Sequence, residues 1–221
     1  MEPVVRLRSA VCLLGRFPAL AGIDLDVRGG EVVLLAGGNG AGKTTLLRVL
    51  AGLIPLHSGE ASVLGHDLVV DRRGHRRQLS LVGHDTGCYD DLTVAENVTF
   101  ATRAAGGSRH DAAAAVDRLG LGPLADVRHG RLSAGQRRRL ALAVGLARAP
   151  RLLLLDEPHA GLDADGRDVL DDVLRSSRTD GRTILVASHE LDRVRALADR
   201  EVTLVSGRCA RAMSASEAPV P

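Results

Sequence analysis

The stretch GGNGAGKTT at residues 37–45 narrows the possible folds of this chain more than any other. EVVLLA precedes it, a continuous apolar run that reads as a buried strand. TTLLRVLAGL continues from it with helical spacing. Gly37, Gly42, Lys43 and Thr44 satisfy the spacing G-x-x-x-x-G-K-[ST] in strand–loop–helix context, the pattern of a phosphate-binding loop. There the backbone N–H groups of Gly37, Gly38, Asn39, Gly40, Ala41 and Gly42, continuing into Thr45, can curl round phosphate oxygens. Lys43 reaches the β- and γ-phosphates, and the Thr44 hydroxyl can bind Mg²⁺.

One count supports this reading. Lysine and arginine total 29 in 221 residues, and Lys43 is the only lysine. The flat, wide fork of arginine does not fit where a compact ammonium must sit between two phosphates. The chain departs from its own arginine bias at the position where phosphate chemistry requires it.

Two further apolar runs end in polar groups. RLLLLDEP at residues 151–158 suits a strand buried on both faces of a parallel sheet, and it ends in Asp156 and Glu157. Ligands bind at the carboxyl ends of such strands. Asp156 is placed to hold Mg²⁺ through water, and Glu157 to polarise an attacking water. TILVASHEL at residues 183–191 is a third such strand, ending at His189. An imidazole there could bond a γ-phosphate and hold the attacking water in line.

RLSAGQRRRLALAV at residues 131–144 looks like a second anion site. Ser133 is a candidate N-cap, and a helix start with small residues presents free N–H groups. One small chain with two phosphate sites requires an explanation.

Composition excludes several classes. Apolar residues make up 45% and charged residues 25%, as in a globular chain. The net charge of +2 and only three aromatic residues argue against a nucleic-acid platform. The basic stretch at residues 72–77 reads as a solvated helix face. Cys12, Cys88 and Cys209 show no C-x-x-C spacing, which points to reduced thiols in a cytosol. The N-terminus lacks a signal-peptide pattern, and no run is long enough to span a membrane.

Together these motifs resemble the nucleotide-binding domains of ABC ATPases, over about residues 4–205. Residues 37–45 match Walker A, and residues 152–156 with Glu157 match Walker B. LSAGQ at residues 132–136 matches the ABC signature with one Gly→Ala change, AGLD at residues 160–163 matches the D-loop, and His189 the H-loop. The resemblance implies a P-loop α/β fold: a RecA-like core over residues 1–83 and 151–206 that includes an antiparallel β-subdomain. A helical subdomain would be inserted at residues 84–150, while the composition of residues 207–221, rich in Ala, Ser and Pro, reads as a frayed tail. The resemblance also implies ATP and Mg²⁺ as ligands and a head-to-tail dimer, either a homodimer or a pseudo-twofold pair. In that dimer Ser133, Gly135 and Gln136 of one subunit would grip the γ-phosphate of the other's ATP, with Asp163 at the interface. The second anion site then serves the partner's nucleotide.

The chain departs from the family pattern twice. Leu14 stands near the place of the adenine-stacking aromatic, with Phe17 three residues on as either substitute or core. The usual Q-loop glutamine is absent from GHDTG, so His84 or Asp85 must serve. The hard oxygen of Asp85 suits Mg²⁺ better, unless it is only a turn residue before Gly87. Tyr89, Leu92 and Phe100 are either anchors for a membrane subunit or core of the lobe.

GHDTG, LSAGQRRR and AGLDADG look like the ATP-binding subunits of the haem exporter of cytochrome c maturation, the CcmA family. That family's role would be to power a polytopic CcmB-like partner from the cytoplasmic face of the membrane. Other simple ABC exporters share much of the pattern.

Overall fold

The computed structural model describes residues 2–83 and 87–214. His84 and Asp85 lie outside the described residues. No helix among the described residues is long and apolar enough to cross a membrane.

Two sheets organise the described chain. The first is antiparallel, in the order β2-β1-β4-β5, from β1 (Val5–Leu14), β2 (Phe17–Val27), β4 (Ser58–Val63) and β5 (His66–Asp67). The second has the order β10-β9-β3-β8-β7-β6. Its strands are β3 (Val32–Ala36), β6 (Leu79–Val82), β7 (Leu152–Asp156), β8 (Thr183–Ala187), β9 (Arg200–Val205) and β10 (Arg208–Ser214). All run parallel except the edge strand β10.

The apolar runs explain why this sheet is central. Alternate residues of β3, β7 and β8 enter two different cores. Val33, Leu35, Leu152, Leu154 and Leu185 face α1 (Lys43–Leu50) and the antiparallel sheet. Val32, Leu34, Leu153, Leu155, Ile184 and Val186 face the other helices. These are α2 (Val94–Ala104), α3 (Arg109–Arg118), α4 (Ala134–Ala147), α5 (Ala164–Thr179) and the short α6 (Leu191–Arg195). A strand buried on both faces has no polar side to alternate with, so its sequence is continuously apolar.

Helix starts follow local chemistry. Thr93, Ser108 and Ser133 each close a capping box, with Glu96, Asp111 and Gln136 respectively. The expectation of Ser133 as N-cap is met. Helix α4 runs against β6, and Gly145 makes that approach possible. A Cβ there would lie 2.6 Å from Val82 Cγ2.

Two expectations need correction. The tail is not frayed at residues 208–214, which form β10 and pair with β9 from Arg208↔Val205 to Ser214↔Arg200. Ser206 and Gly207 have φ of 48° and 74°, the positive pair of a two-residue hairpin turn. The Gly207 N–H also donates to Ala41 O at 3.0 Å, pinning this hairpin to the glycine loop. The basic stretch at 72–77 is not simply a solvated face. His75 is fully buried and bonds Leu50 O at 2.8 Å, while Arg76 donates to Ala51 O and Gly52 O. These groups satisfy the C-terminal carbonyls of α1 and complement its dipole. Burial pulls the His75 imidazole below its ordinary value.

Candidate active site

Three parallel neighbours, β3, β8 and β7, end side by side. Leu35 pairs with Ala187, and Ala187 with Asp156. At about 4.8 Å between strands, the ends of β3 and β7 lie about 10 Å apart. The glycine loop, Asp156 with Glu157, and Ser188 with His189 therefore leave the same edge of the sheet.

The loop into α1 has no side-chain cap. Gly42 is the N-cap at φ 106°, and no acidic residue occupies the first turn. A Cβ on Gly42 would stand 2.7 Å from Ala19 O. Lys43 is 7% exposed and donates from Nζ to Gly37 O at 2.6 Å and Gly38 O at 3.2 Å. A buried ammonium resting on its own loop, beside the unpaired N–H groups of a helix start, is a built receptor for anionic oxygen. Among the described residues, the side chains of Thr44 and Asp156 have no hydrogen-bond partner. One hydroxyl and one carboxylate beside a phosphate site fit Mg²⁺, which takes few protein ligands and keeps waters and phosphate oxygens.

Glu157 is set in an uncommon conformation, with φ of 49°. A non-glycine residue there costs about 1–3 kcal/mol and persists only when its surroundings enforce it. Its N–H donates to Ala187 O at 2.8 Å, and its carboxylate accepts the His189 backbone N–H at 3.0 Å. The His189 ring reaches the same carboxylate, Nε2 to Oε1 at 3.5 Å. Both side chains are open to solvent, His189 at 52% and Glu157 at 32%. Thus the structure brings Lys43, Thr44, Asp156, Glu157 and His189 to one edge.

It does not bring the signature to that loop within one chain. The Gln136 N–H donates to Ser133 Oγ at 3.3 Å, and the Ser133 N–H to Gln136 Oε1 at 2.9 Å. Neither bond reaches residues 37–45, and Ser133 and Ala134 are exposed. Gly135 approaches the D-loop, where a Cβ would be 3.1 Å from Gly161 O. Asp163 is the N-cap of α5 and accepts the Gly166 N–H at 2.9 Å. Phe17 is 79% exposed and Leu14 is 49% exposed, so neither is core. Tyr89 and Phe100 are more than half exposed and meet edge to face at 5.4 Å.

Two participants were missed in the sequence. His159 is buried and bonds Asp171 Oδ1 at 2.9 Å, tying the D-loop to α5. Arg138 is buried and donates to the main-chain carbonyls of Gly83, Asp156, Glu157 and Pro158. Burial pulls its guanidinium below the ordinary value, while the carboxylates of Asp156 and Glu157 push it back. The available signal was periodicity: Arg138 shares a helical face with buried Leu142 and Gly145.

The profile of the ABC transporter family matches residues 20–160. The chain belongs to the ABC transporter family. ABC cassettes are ATPases coupled to transport; they bind ATP with Mg²⁺ and work as dimers with membrane subunits. The cytochrome c biogenesis ATP-binding export protein CcmA of Bordetella bronchiseptica is 41% identical over 190 residues, covering 85% of each chain. The daunorubicin/doxorubicin resistance ATP-binding protein DrrA of Streptomyces peucetius is 38% identical over 86% of this chain and 59% of its own length. ATP-binding cassette sub-family A member 7 of Rattus norvegicus is 38% identical, but this chain spans only 9% of it. Among solved ABC structures, the MJ0796 cassette dimer bound to ADP and Pi superposes with a TM-score of 0.88 at 25% identity. It covers 96% of this chain and 98% of that one.

Proposed function

We propose that this ABC cassette is the motor subunit of a transporter, hydrolysing ATP in two composite sites of a head-to-tail dimer. The observation that carries this is the Glu157–His189 pair held at strand ends beside the Lys43 loop. Lys43 and the loop N–H groups of residues 37–45 bind the triphosphate. Thr44 and Asp156 hold Mg²⁺, which neutralises phosphate charge when bound, and Asp85 is proposed as a further ligand. Glu157 orients and deprotonates the attacking water, and His189 fixes its line to the γ-phosphate. Ser133, Gly135 and Gln136 close over the partner's nucleotide, with Asp163 beside them.

One feature of serine makes the signature role compatible with capping. A hydroxyl has one donor and two acceptor positions. Ser133 uses an acceptor for the Gln136 N–H and keeps its O–H for a phosphate oxygen.

The membrane partner would dock on the helical part of the chain. The exposed Tyr89–Phe100 pair supports this placement, beside a cavity of about 860 Å³ between α2 and α3 lined by Phe100, Thr99 and Val116. This would place the chain at the cytoplasmic face of the membrane. The finer role we propose is in cytochrome c biogenesis, with a CcmB-like partner. The CcmA likeness covers most of both proteins and supports that choice. A drug-type exporter is the alternative that the DrrA likeness favours.

Two experiments test the proposal. Glu157→Gln should bind ATP and lose turnover about a hundredfold or more; normal turnover would remove Glu157 from the mechanism. Affinity capture from solubilised membranes should recover a polytopic subunit, and loss of the chain should deplete c-type cytochromes. Intact cytochromes with lost drug tolerance would favour the alternative.

A further inference from the structure

Arg138 sits on α4, five residues after Ser133, and is 8% exposed. Nη2 donates to Asp156 O at 2.6 Å and to Glu157 O at 2.7 Å. Nε donates to Pro158 O at 3.3 Å, and Nη1 to Gly83 O. All four bonds go to main-chain carbonyls and none to a carboxylate.

Three of these acceptors are consecutive. In an extended strand, successive residues face opposite ways, so three neighbouring carbonyls cannot reach one cation. The chain must turn out of the strand, and Glu157 makes that turn at φ 49°. The guanidinium therefore bonds the carbonyls of a turn in which Glu157 is left-handed. An ammonium replaces it only in part, because its three donors cannot supply the four bonds that the guanidinium makes.

We propose that Arg138 is a positioning residue for hydrolysis: its guanidinium holds Glu157 in the turn that aims its carboxylate, and joins that turn to the end of β6 and to α4. This rests on the reading of Glu157 as the residue that activates water. The consequence is mechanical. Ser133 caps the start of α4, so Arg138 ties the turn carrying Glu157 to the helix whose start would meet the partner's nucleotide. Gly83, the fourth acceptor, immediately precedes His84 and Asp85 in the chain.

The test uses the full chain with Arg138→Gln, Arg138→Met and Arg138→Lys, measured beside Glu157→Gln. Readouts are kcat, ATP affinity and thermal midpoint. We expect kcat to fall at least tenfold in Arg138→Gln and Arg138→Met, with ATP affinity within threefold, because the Lys43 loop is untouched. Arg138→Lys should retain an intermediate kcat. In Arg138→Ala, ethylguanidinium should restore part of kcat without changing ATP affinity. Turnover within twofold of the parent in Arg138→Gln, or ATP affinity falling in step with kcat, overturns the proposal. If Arg138→Met fails to fold, Arg138→Lys decides: parental kcat there overturns the need for the planar fork. Normal turnover in Glu157→Gln overturns the underlying reading of the base. A dead Glu157→Gln with a fully active Arg138→Gln overturns only the role of Arg138.

Discussion

Ser133→Asp separates the two tasks assigned to Ser133. Aspartate is as good an N-cap as serine, so its carboxylate can accept the Gln136 N–H that Ser133 Oγ now accepts at 3.3 Å. The start of α4 should stay intact, with stability changed by less than about 0.5 kcal/mol. A carboxylate has no proton to donate at neutral pH and repels phosphate. A hydrogen bond to a charged group contributes about 1.5–3 kcal/mol. Two such bonds per dimer amount to about 3–6 kcal/mol, on the order of 10²–10⁴ in the dimer dissociation constant. The assay is sedimentation of the ATP-loaded protein in a Glu157→Gln background, beside thermal unfolding of the monomer. Ser133→Asp should unfold like the parent and sediment as a monomer with ATP bound. Parental dimerisation would refute the phosphate contact. Weakened ATP binding to the monomer would show that the signature acts within its own chain.

Gly42→Ala forces a Cβ to within 2.7 Å of Ala19 O at φ 106°, so nucleotide binding should be lost and Tm should drop by roughly 3–10 °C; unchanged calorimetric ATP binding would contradict this. The buried His75 binds its proton less readily folded than unfolded, so stability should fall as pH drops below about 6.5. Urea midpoints at pH 7.5 and 5.5 should diverge less in His75→Gln than in the parent, and equal divergence in the two proteins would reject it. ATPase activity should depend more steeply on Mg²⁺ in the parent than in Asp85→Gln, because a carboxylate repels the γ-phosphate when metal is scarce. Loss of activity in His84→Ala with a normal Asp85→Ala would assign the Q-loop role to the histidine.

The elements legible in the sequence are those whose chemistry is local. Continuous apolar runs marked β3, β7 and β8, because strands buried on both faces have no polar side. The turn into α1 was legible because glycine spacing and a lone lysine leave one chemical reading. The Ser133 cap was legible as a serine at the start of a helical pattern, but its partner Gln136 was not. The hairpin of β9 and β10 was missed, although Ser206–Gly207 between two short strands is a turn signal. The Ala, Ser and Pro composition of the last residues outweighed it. Arg138 was missed for a different reason. Its partners are main-chain carbonyls from Gly83 and from residues 156–158, and no side-chain pattern records them. His75 likewise reads as part of a charged run until its distant partner, Leu50 O, is seen.

In this mechanism the two phosphate sites of one chain serve two different nucleotides. A crystal structure of the Glu157→Gln protein with ATP and Mg²⁺ tests it most directly, through the distance from Ser133 Oγ to the nearest γ-phosphate oxygen. A hydrogen bond of about 2.5–3.0 Å should join it to the ATP seated on the other subunit's loop. A Ser133 hydroxyl bonded to the ATP of its own Lys43 loop, or in contact with no nucleotide, would contradict it.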